Sequence, residues 1–113
     1  MDRSTVIYLI APIYTENRYG APVPATTADT SGAEITYETR RRVFADVMSV
    51  SAAEWFEGGR SGLNPEYRIR MFAPDYQGEP IIEYNGKRYA VYRHYQERTD
   101  IIELYAERRK GRA

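Results

Sequence analysis

An Asn-Gly pair between two runs rich in Ile, Tyr and Val constrains the fold of this chain more than any other feature. The pair is Asn85-Gly86, and it joins residues 81–84 to residues 87–95. Both residues tolerate a positive φ, so the pair predicts a type I′ turn that closes an antiparallel hairpin. Another turn follows, and then a run of alternating apolar and polar residues at 101–107. The last third of the chain is therefore predicted to be all β.

Three earlier segments also have the composition of strands. Residues 4–14 are apolar at both parities, which is typical of a strand covered on both faces. Residues 35–50 and 66–72 alternate between apolar and polar side chains, as half-buried strands do. Residues 15–34 differ, because they contain two Gly, two Pro and a run of Thr, Ala and Asp. We expect this segment to be a long, exposed and flexible loop.

A helix N-terminus is encoded at Ser51, three residues before Glu54. The Ser51 hydroxyl can accept a hydrogen bond from the Glu54 amide while the Glu54 carboxylate reaches back, which is a capping box. The helix should include Trp55 and Phe56 and end at residues 58–59, which are both Gly. With two or three turns at most it is not stable alone, so it must pack on the strands.

These elements define a fold class. Strands that come in runs favour a mainly β fold, a small antiparallel β-barrel or sandwich of about six strands with one short inserted helix and a long N-terminal loop. The length of 113 residues fits a single domain, 1–113. Residues 108–113 carry four basic side chains and no acidic one, so we expect a frayed basic tail there.

The composition excludes several classes of site. The chain has no Cys, which excludes disulfides, thiolate nucleophiles and Cys-ligated metal sites. His94 is the only histidine, so a histidine pair for a metal is impossible, and we expect it to be structural. The formal net charge of zero argues against a protein that coats nucleic acid or binds anionic membranes. The longest apolar run, residues 6–13, is too short to span a membrane.

The basic residues are almost all Arg, because only Lys87 and Lys110 of the 16 are Lys, and the chain also has 11 Tyr. Arg and Tyr are enriched at protein interfaces, where Lys is depleted. A codon bias toward Arg accounts for the excess of Arg over Lys equally well. The composition thus permits, without requiring, a protein that consists mostly of contact surface.

No constellation in the sequence predicts catalysis. Glu54 and Glu57 lie three residues apart, but capping and exposure explain them without a general acid and base. Arg40, Arg41 and Arg42 are consecutive, and we interpret them as a solvated strand start rather than a phosphate site. Alternation should place Arg41 on the face opposite to its two neighbours. We therefore expect no enzyme activity, no metal and no cofactor.

Residues 87–95 interleave basic and aromatic side chains, as barrels that bind single-stranded nucleic acid do. Strict alternation would place Tyr89, Val91, Arg93 and Tyr95 on one face. The aromatic residues are then divided between two faces, which fits core packing and a protein interface better than a stacking surface. Of the adjacent aromatic residues at 55–56, one can pack on the barrel and leave the other for a partner.

Six of these motifs, taken in order, resemble the phage head-closure family of head–tail connector proteins, which are also called stoppers or head-completion proteins. The resemblance covers roughly residues 35–109. It rests on SAAEWF at 51–56, GLNPEY at 62–67, DYxG at 75–78, IEYNGKRY at 82–89, VYR at 91–93 and IELYAER at 102–108.

The resemblance implies a structural virion protein of long-tailed bacteriophages, made in the host bacterial cytoplasm. It implies a small β-barrel with a helix or loop inserted after the second strand, and a homo-oligomeric ring beneath the portal and its adaptor. The ring would close the DNA channel after packaging and offer the surface for the tail-completion or tail-tube protein. Double-stranded DNA would pass through it without sequence-specific binding, and no membrane or cofactor would be involved.

Within this interpretation, we expect residues 51–65 to project toward the ring axis or the adaptor. We expect residues 15–34 to become ordered only on assembly. The candidate partner-interface or channel-facing residues are Glu54, Trp55, Phe56, Glu57, Arg60, Leu63, Arg40, Arg41 and Arg42. Two alternatives stay open, a small oligonucleotide-binding barrel and a tail-completion protein of similar fold.

Overall fold

The computed structural model of the protein describes residues 4–28 and 30–108. Over these residues the chain forms ten strands, one α-helix and one 3-10 helix. In chain order they are β1 (Thr5–Pro12), β2 (Tyr14–Glu16), β3 (Pro22–Pro24), β4 (Thr26–Ala28), β5 (Glu34–Thr36), β6 (Glu38–Ser49), α1 (Ala52–Arg60), β7 (Pro65–Phe72), the 3-10 helix (Ala73–Asp75), β8 (Ile81–Tyr84), β9 (Lys87–Arg98) and β10 (Ile101–Arg108).

Six of the strands close into an antiparallel barrel in the order β1-β6-β7-β10-β9-β8, and β8 pairs with β1 to complete it. Closure leaves the barrel sheet without unpaired edges. The predicted mainly β fold with one short inserted helix is confirmed, and it is a barrel rather than a sandwich. The predicted hairpin turn is confirmed as well, since Asn85 has φ 53° and Gly86 has φ 74°.

Inward-facing side chains from all six barrel strands fill the core. On β6 the predicted alternation holds, because Val43 and Ala45 are buried while Phe44 between them is half exposed. On β1 the prediction of cover on both faces holds only in part, since Ile10 is buried but Val6 on the same face is exposed. The core cluster consists of Ile7, Leu9, Val43, Ala45, Ile69, Met71, Ile82, Tyr89, Ile102, Leu104 and Ala106.

A β-bulge changes which side chains share a face of β9. Tyr105 of β10 pairs with Arg93, but its neighbour Ala106 pairs with Val91, so Tyr92 is the extra residue. Beyond the bulge, odd-numbered side chains of β9 point to the face that even-numbered side chains occupy before it. The prediction that Arg93 shares a face with Val91 is therefore wrong, as is the same assignment for Tyr95. β9 is also longer than predicted and reaches Arg98 before the final turn.

The segment predicted to be a long loop, residues 15–34, is largely exposed, but the absence of regular structure was a wrong prediction. It contributes to two short hairpins, β2–β3 and β4–β5, each with three residues per strand. Pro22 and Pro24 are compatible with β3 because that strand has a single partner and needs few backbone donors. We call residues 13–28 and 30–37 the arm module, and its two hairpins the β2–β3 arm and the β4–β5 arm.

A cyclic set of backbone hydrogen bonds joins the arm module to the barrel. The amide of Ile13 donates to the carbonyl of Tyr37 (2.9 Å), that of Tyr37 to Ala25 (2.8 Å), and that of Ala25 to Ile13 (2.7 Å). Three ladders meet at this junction, namely β1–β6, β2–β3 and β4–β5. The arms therefore continue the β1–β6 ladder at the end of β6 that is farther from α1.

At the other terminus, Arg108 is the last residue of β10. Of the predicted basic tail, residues 109–113 lie outside the described residues.

Candidate functional site

Helix α1 is the insertion that the sequence predicted between the second and third barrel strands. Ser51 caps it and accepts a hydrogen bond from the Glu54 amide at 3.1 Å, as expected. The helix continues past the predicted stop at residues 58–59 and ends at Arg60. It ends in a Schellman motif at Gly62, which has φ 78°, and the amides of Gly62 and Leu63 donate to the carbonyls of Gly59 (3.2 Å) and Gly58 (2.8 Å). Gly58 itself is buried against Pro65, where β7 begins.

Two aromatic side chains lie exposed on α1. Trp55 is 54% exposed and Phe56 is 62% exposed, and their rings meet edge to face with centroids 5.2 Å apart. Both rings are more than half exposed, so neither is buried against the barrel. An open groove of about 580 Å³ borders the pair. Its lining residues are Ser49, Val50, Ser51, Ala52, Trp55, Phe56, Asn64, Pro65, Glu66 and Arg108.

Glu54 connects α1 to the barrel wall. Its carboxylate accepts a hydrogen bond from the Tyr92 hydroxyl at 2.5 Å and forms an ion pair with Arg93. The guanidinium of Arg93 also lies over the Tyr105 ring, 3.7 Å from its centroid. In the predicted capping box the Glu54 carboxylate would reach back to the start of the helix. It contacts Tyr92 and Arg93 of β9 instead. Glu54 serves to orient α1 within the subunit, and its side chain is largely buried.

The bulge in β9 makes this connection possible, because it sets Tyr92 and Arg93 beside the same carboxylate. Hydrogen bonding by Arg93 holds the pKa of Glu54 below its ordinary value of 4.5, and the Tyr92 bond lowers it further. Burial, followed by the nearby carboxylate, raises the pKa of Tyr92 well above that of a free phenol. The tyrosine therefore remains a donor at neutral pH, and the glutamate remains an acceptor.

The remaining candidates on this segment differ in accessibility. Glu57 and Arg60 form an exposed ion pair at 3.4 Å, one turn apart on α1. Such a surface pair contributes little to stability, so both side chains can exchange it for contacts with a partner. Leu63 is partly buried, and its amide closes the end of the helix by donating to the Gly58 carbonyl at 2.8 Å.

The structure divides the arginine triplet. Arg41 turns to the opposite face from its neighbours, as predicted, and forms an ion pair with the buried Glu79 at 2.5 Å. It also donates to the carbonyl of Asp75 at 2.6 Å. Arg40 pairs with Glu83, whereas Arg42 is exposed and lies over the Phe44 ring, 5.8 Å from its centroid. The interpretation of a phosphate site loses support, because two of the three charges are already paired with carboxylates.

Two ion pairs cross the outer face of β1. Arg40 of β6 reaches Glu83 of β8 at 2.5 Å, and Arg88 of β9 binds both carboxylate oxygens of Glu38 at 2.8 Å. Both pairs link β6 to strands on the other side of β1. Ile10 lies between those strands and has no exposed surface. The ion pairs thus belong to the structure of the wall rather than to a charged binding surface.

The aromatic and basic stretch of β9 is also engaged within the subunit. Tyr89 is buried in the core, and that burial raises its pKa to about 12. Arg88 and Arg93 hold carboxylates, as described above. His94 lies near the Tyr76 ring, with centroids 5.9 Å apart. This stretch offers few stacking faces to a nucleic acid, which fits the preference for core packing.

Sequence reasoning missed two features of the structure. The first is the arm module, whose exposed side chains include Tyr14 and Tyr19. Its signal was the pair of positive-φ glycines, Gly20 and Gly32, each in a position to close a hairpin. The second is the wall contact of Glu54, whose partners are 38 and 39 residues away, so no local pattern pointed to it.

Within residues 4–28 and 30–108, no group of three His, Asp or Glu side chains is arranged to hold a metal ion. No helix in the same residues is long and apolar enough to cross a membrane. No known protein-family profile matches this sequence, and none of the curated proteins compared with it is significantly similar.

Proposed function

We propose that this chain is the subunit of a homo-oligomeric ring that closes the DNA channel beneath a phage portal and its adaptor. The ring would also offer the surface to which a tail-completion or tail-tube protein attaches. It would lie at the head–tail interface of the virion, after synthesis in the host bacterial cytoplasm. The role is structural, so it requires neither catalysis nor a cofactor, and no membrane takes part.

The observation that carries the proposal is the position of two exposed projections at opposite ends of β6. The arm module precedes Glu38, and α1 follows Ser49. Straight, a strand of 12 residues would span about 40 Å, and the molecule measures 43 Å in its longest dimension, so the two projections start from opposite ends of a long barrel strand. A subunit that bridges an adaptor on one side and a tail protein on the other needs two such separate surfaces.

The barrel itself supplies rigidity between the projections. Its sheet is closed, its core is continuous, and its outer wall carries ion pairs that hold neighbouring strands together. Functional segments placed on a rigid scaffold keep a defined spacing. Within the described residues, eight arginines are paired with carboxylates, which reduces the positive charge available to retain DNA in a channel.

The α1 segment is the surface that we assign to the adaptor. Its two exposed aromatic residues are of the type that dominates the energy of protein interfaces. Glu54 and Gly58 fix the helix on the barrel, so binding would cost little ordering of the backbone. Glu57 and Arg60 would then form the polar rim of the contact.

Electron microscopy of particles produced without this protein tests the proposal. Heads that package DNA and then lose it, beside complete unattached tails, would support a head-closure role. Filled particles with joined tails would overturn the proposal and favour the oligonucleotide-binding alternative. Heads that keep their DNA but carry no tails would instead assign the protein to tail completion.

A matched pair of variants tests the assignment of α1. Trp55→Ala should prevent binding to the adaptor, whereas Tyr95→Ala, which removes an equally exposed aromatic residue from β9, should not. Both proteins should unfold at similar denaturant concentrations, because neither side chain belongs to the core cluster. Equal loss of adaptor binding in the two variants would contradict the assignment.

A further inference from the structure

We propose that the β2–β3 arm of one subunit binds the outer barrel wall of a second copy of this chain. The binding surface on the wall is the patch formed by Val6, Phe44 and Phe72. This inference rests on the proposed ring and names the contact that joins neighbouring subunits. It leaves α1, at the other end of β6, available for the adaptor and the β4–β5 arm available for the tail protein.

The β2–β3 arm presents a tyrosine on a well-formed turn. The side-chain oxygen of Asn17 accepts hydrogen bonds from the amides of Tyr19 (2.9 Å) and Ala21 (3.0 Å). Two backbone bonds close the same turn, from Gly20 to the Asn17 carbonyl and from Asn17 to the Ala21 carbonyl, both at 3.0 Å. Tyr19 extends from this turn and is 84% exposed. A rigid turn that holds an aromatic side chain in solvent is organised for binding before any partner arrives.

The arm module also lacks a core of its own. Ile13, Tyr14, Ile35 and Tyr37 are between 42% and 60% exposed. Two-stranded hairpins are marginally stable in water unless an apolar face packs against something. The exposed apolar side chains of the arms therefore gain most from a surface on another molecule.

The patch on the barrel wall consists of apolar side chains on three adjacent strands. Val6 of β1 lies directly opposite Phe44 of β6. The β6–β7 ladder pairs Ala45 with Met71, which places Phe72 beside Phe44 at the next position. Phe44 is 50% exposed, and the other two exceed one-third. Contiguous exposed apolar side chains on a sheet face mark an interaction surface.

The subunit's own arm does not cover this patch. The ladder between β1 and β6 stays paired as far as Pro12 and Glu38, and the cyclic junction fixes the start of the arms beyond it. Phe44 lies six positions beyond Glu38 on β6, which is about 20 Å along an extended strand. An arm that extends away from the barrel end is placed to reach a neighbour instead.

The charges of the two surfaces support a second copy of the chain as the partner. Arg42 borders the patch and lies over the Phe44 ring, while Arg40 and Arg41 are paired with carboxylates. Asp46 lies on the same face of β6, two residues beyond Phe44. The β2–β3 arm carries exposed charges of both signs, Glu16 and Arg18, so each charge at the edge of the patch has an opposite charge on the arm. The formal net charge of zero adds no repulsion between copies. A surface and its complement on the same chain give a heterologous contact, which closes into a ring when the rotation permits.

Disulfide crosslinking tests the contact cleanly, because the chain has no cysteine of its own. The Tyr19→Cys and Phe44→Cys proteins would be oxidised separately and as a mixture. We expect a crosslinked dimer in the mixture and little in either protein alone. A chain that carries both substitutions should yield dimers, trimers and longer products. If Phe44→Cys fails to fold, Val6→Cys serves as the acceptor, since it faces Phe44 across the ladder.

Phe56→Cys provides the matched control, because Phe56 is also an exposed aromatic residue but lies on α1. A mixture of Tyr19→Cys with Phe56→Cys should not crosslink. Crosslinking there, and not at Phe44, would place the arm in the groove beside α1 and overturn the proposed contact. Strong crosslinking within Tyr19→Cys alone would indicate a symmetric pair of arms and overturn it as well.

Sedimentation provides an independent measurement. Tyr19→Ser should weaken self-association about tenfold or more, as loss of an interface hot spot does, while Tyr95→Ser should leave it unchanged. Rings that form without the mixed crosslink would refute this contact and leave the ring proposal intact. A protein that sediments as a monomer at all concentrations and gives no mixed crosslink would also refute it. If the mixed crosslink forms, but particles produced without this protein stay filled with DNA and joined to tails, then the contact stands and the head-closure role is refuted.

Discussion

Replacing Gly58 with Ala should destabilise the protein, although the same change favours most helices. A β-carbon built at Gly58 would lie 2.2 Å from the Cγ atom of Pro65. Carbon atoms in contact are normally about 3.5–4.0 Å apart, so the ring of Pro65 or the helix must shift by more than 1 Å. Pro65 is buried and opens β7, so its ring cannot rotate away.

Overpacking costs about 1–3 kcal/mol, and an approach of 2.2 Å to a buried ring belongs in the upper half of that range, about 2–3 kcal/mol. Ala in place of Gly returns about 1 kcal/mol of helix propensity. The net expectation is a loss of about 1–2 kcal/mol in the free energy of unfolding. Gly59 provides the control, because a β-carbon there meets no atom within 4 Å. Gly59→Ala should therefore raise the free energy of unfolding by about 0.5–1 kcal/mol.

Equilibrium unfolding in urea measures both changes. Far-ultraviolet circular dichroism follows the barrel, and the fluorescence of Trp55, the single tryptophan, follows α1. If the two signals separate in Gly58→Ala, then α1 detaches before the barrel unfolds. At about 4 °C per kcal/mol for a domain of this size, thermal midpoints of the two variants should differ by roughly 6–12 °C. A Gly58→Ala protein as stable as Gly59→Ala would refute the packing of α1 on Pro65.

Three further predictions follow from single contacts. Ser51→Ala removes the N-cap of α1 and should lower the free energy of unfolding by about 1 kcal/mol in urea titrations. Glu54→Gln should be less stable than the wild type at pH 7, and the difference should shrink as the pH falls below 4.5. Because Arg93 lowers the pKa of Glu54, the carboxylate stabilises the fold above that pH and loses this effect on protonation; a difference independent of pH would contradict the assignment. Gly86→Ala places a β-carbon at φ 74° and should cost about 1 kcal/mol or more, whereas an unchanged melting temperature would contradict the type I′ turn.

Local signals in the sequence predicted the parts of the fold that depend on few residues. The turn at Asn85-Gly86 and the cap at Ser51 require only their own neighbours, and both occur as expected. The alternation on β6 and β10 also held, because it reflects the burial of one face against a common core. The predicted end of α1 was wrong because Gly58 and Gly59 lie within the helix, and the left-handed glycine that ends it is Gly62, three residues further on.

Features that depend on a partner strand could not be predicted in this way. The bulge at Tyr92 depends on the pairing with β10, where two residues of β9 lie opposite one residue at this point, and nothing in the sequence of β9 itself marks the position. The prediction for Arg93 failed for this reason, and its contact with Glu54 remained hidden. The arms were missed because their strands have three residues each, below the length at which alternation can be recognised.

The junction of the arms explains how a closed barrel can carry them. Ile13, Ala25 and Tyr37 are spaced by 12 residues, and each donates one backbone hydrogen bond and accepts one within the set. Branching a ladder ordinarily leaves backbone groups unpaired, which is costly wherever water is excluded. Here the backbone amides and carbonyls of the three residues form hydrogen bonds with one another, so the branch needs no side-chain support. β1 then pairs with β6 along the whole length of β1, up to the branch, and closure of the barrel is independent of the arms. The arms are free to be shaped by what they bind, while the barrel is shaped by its core.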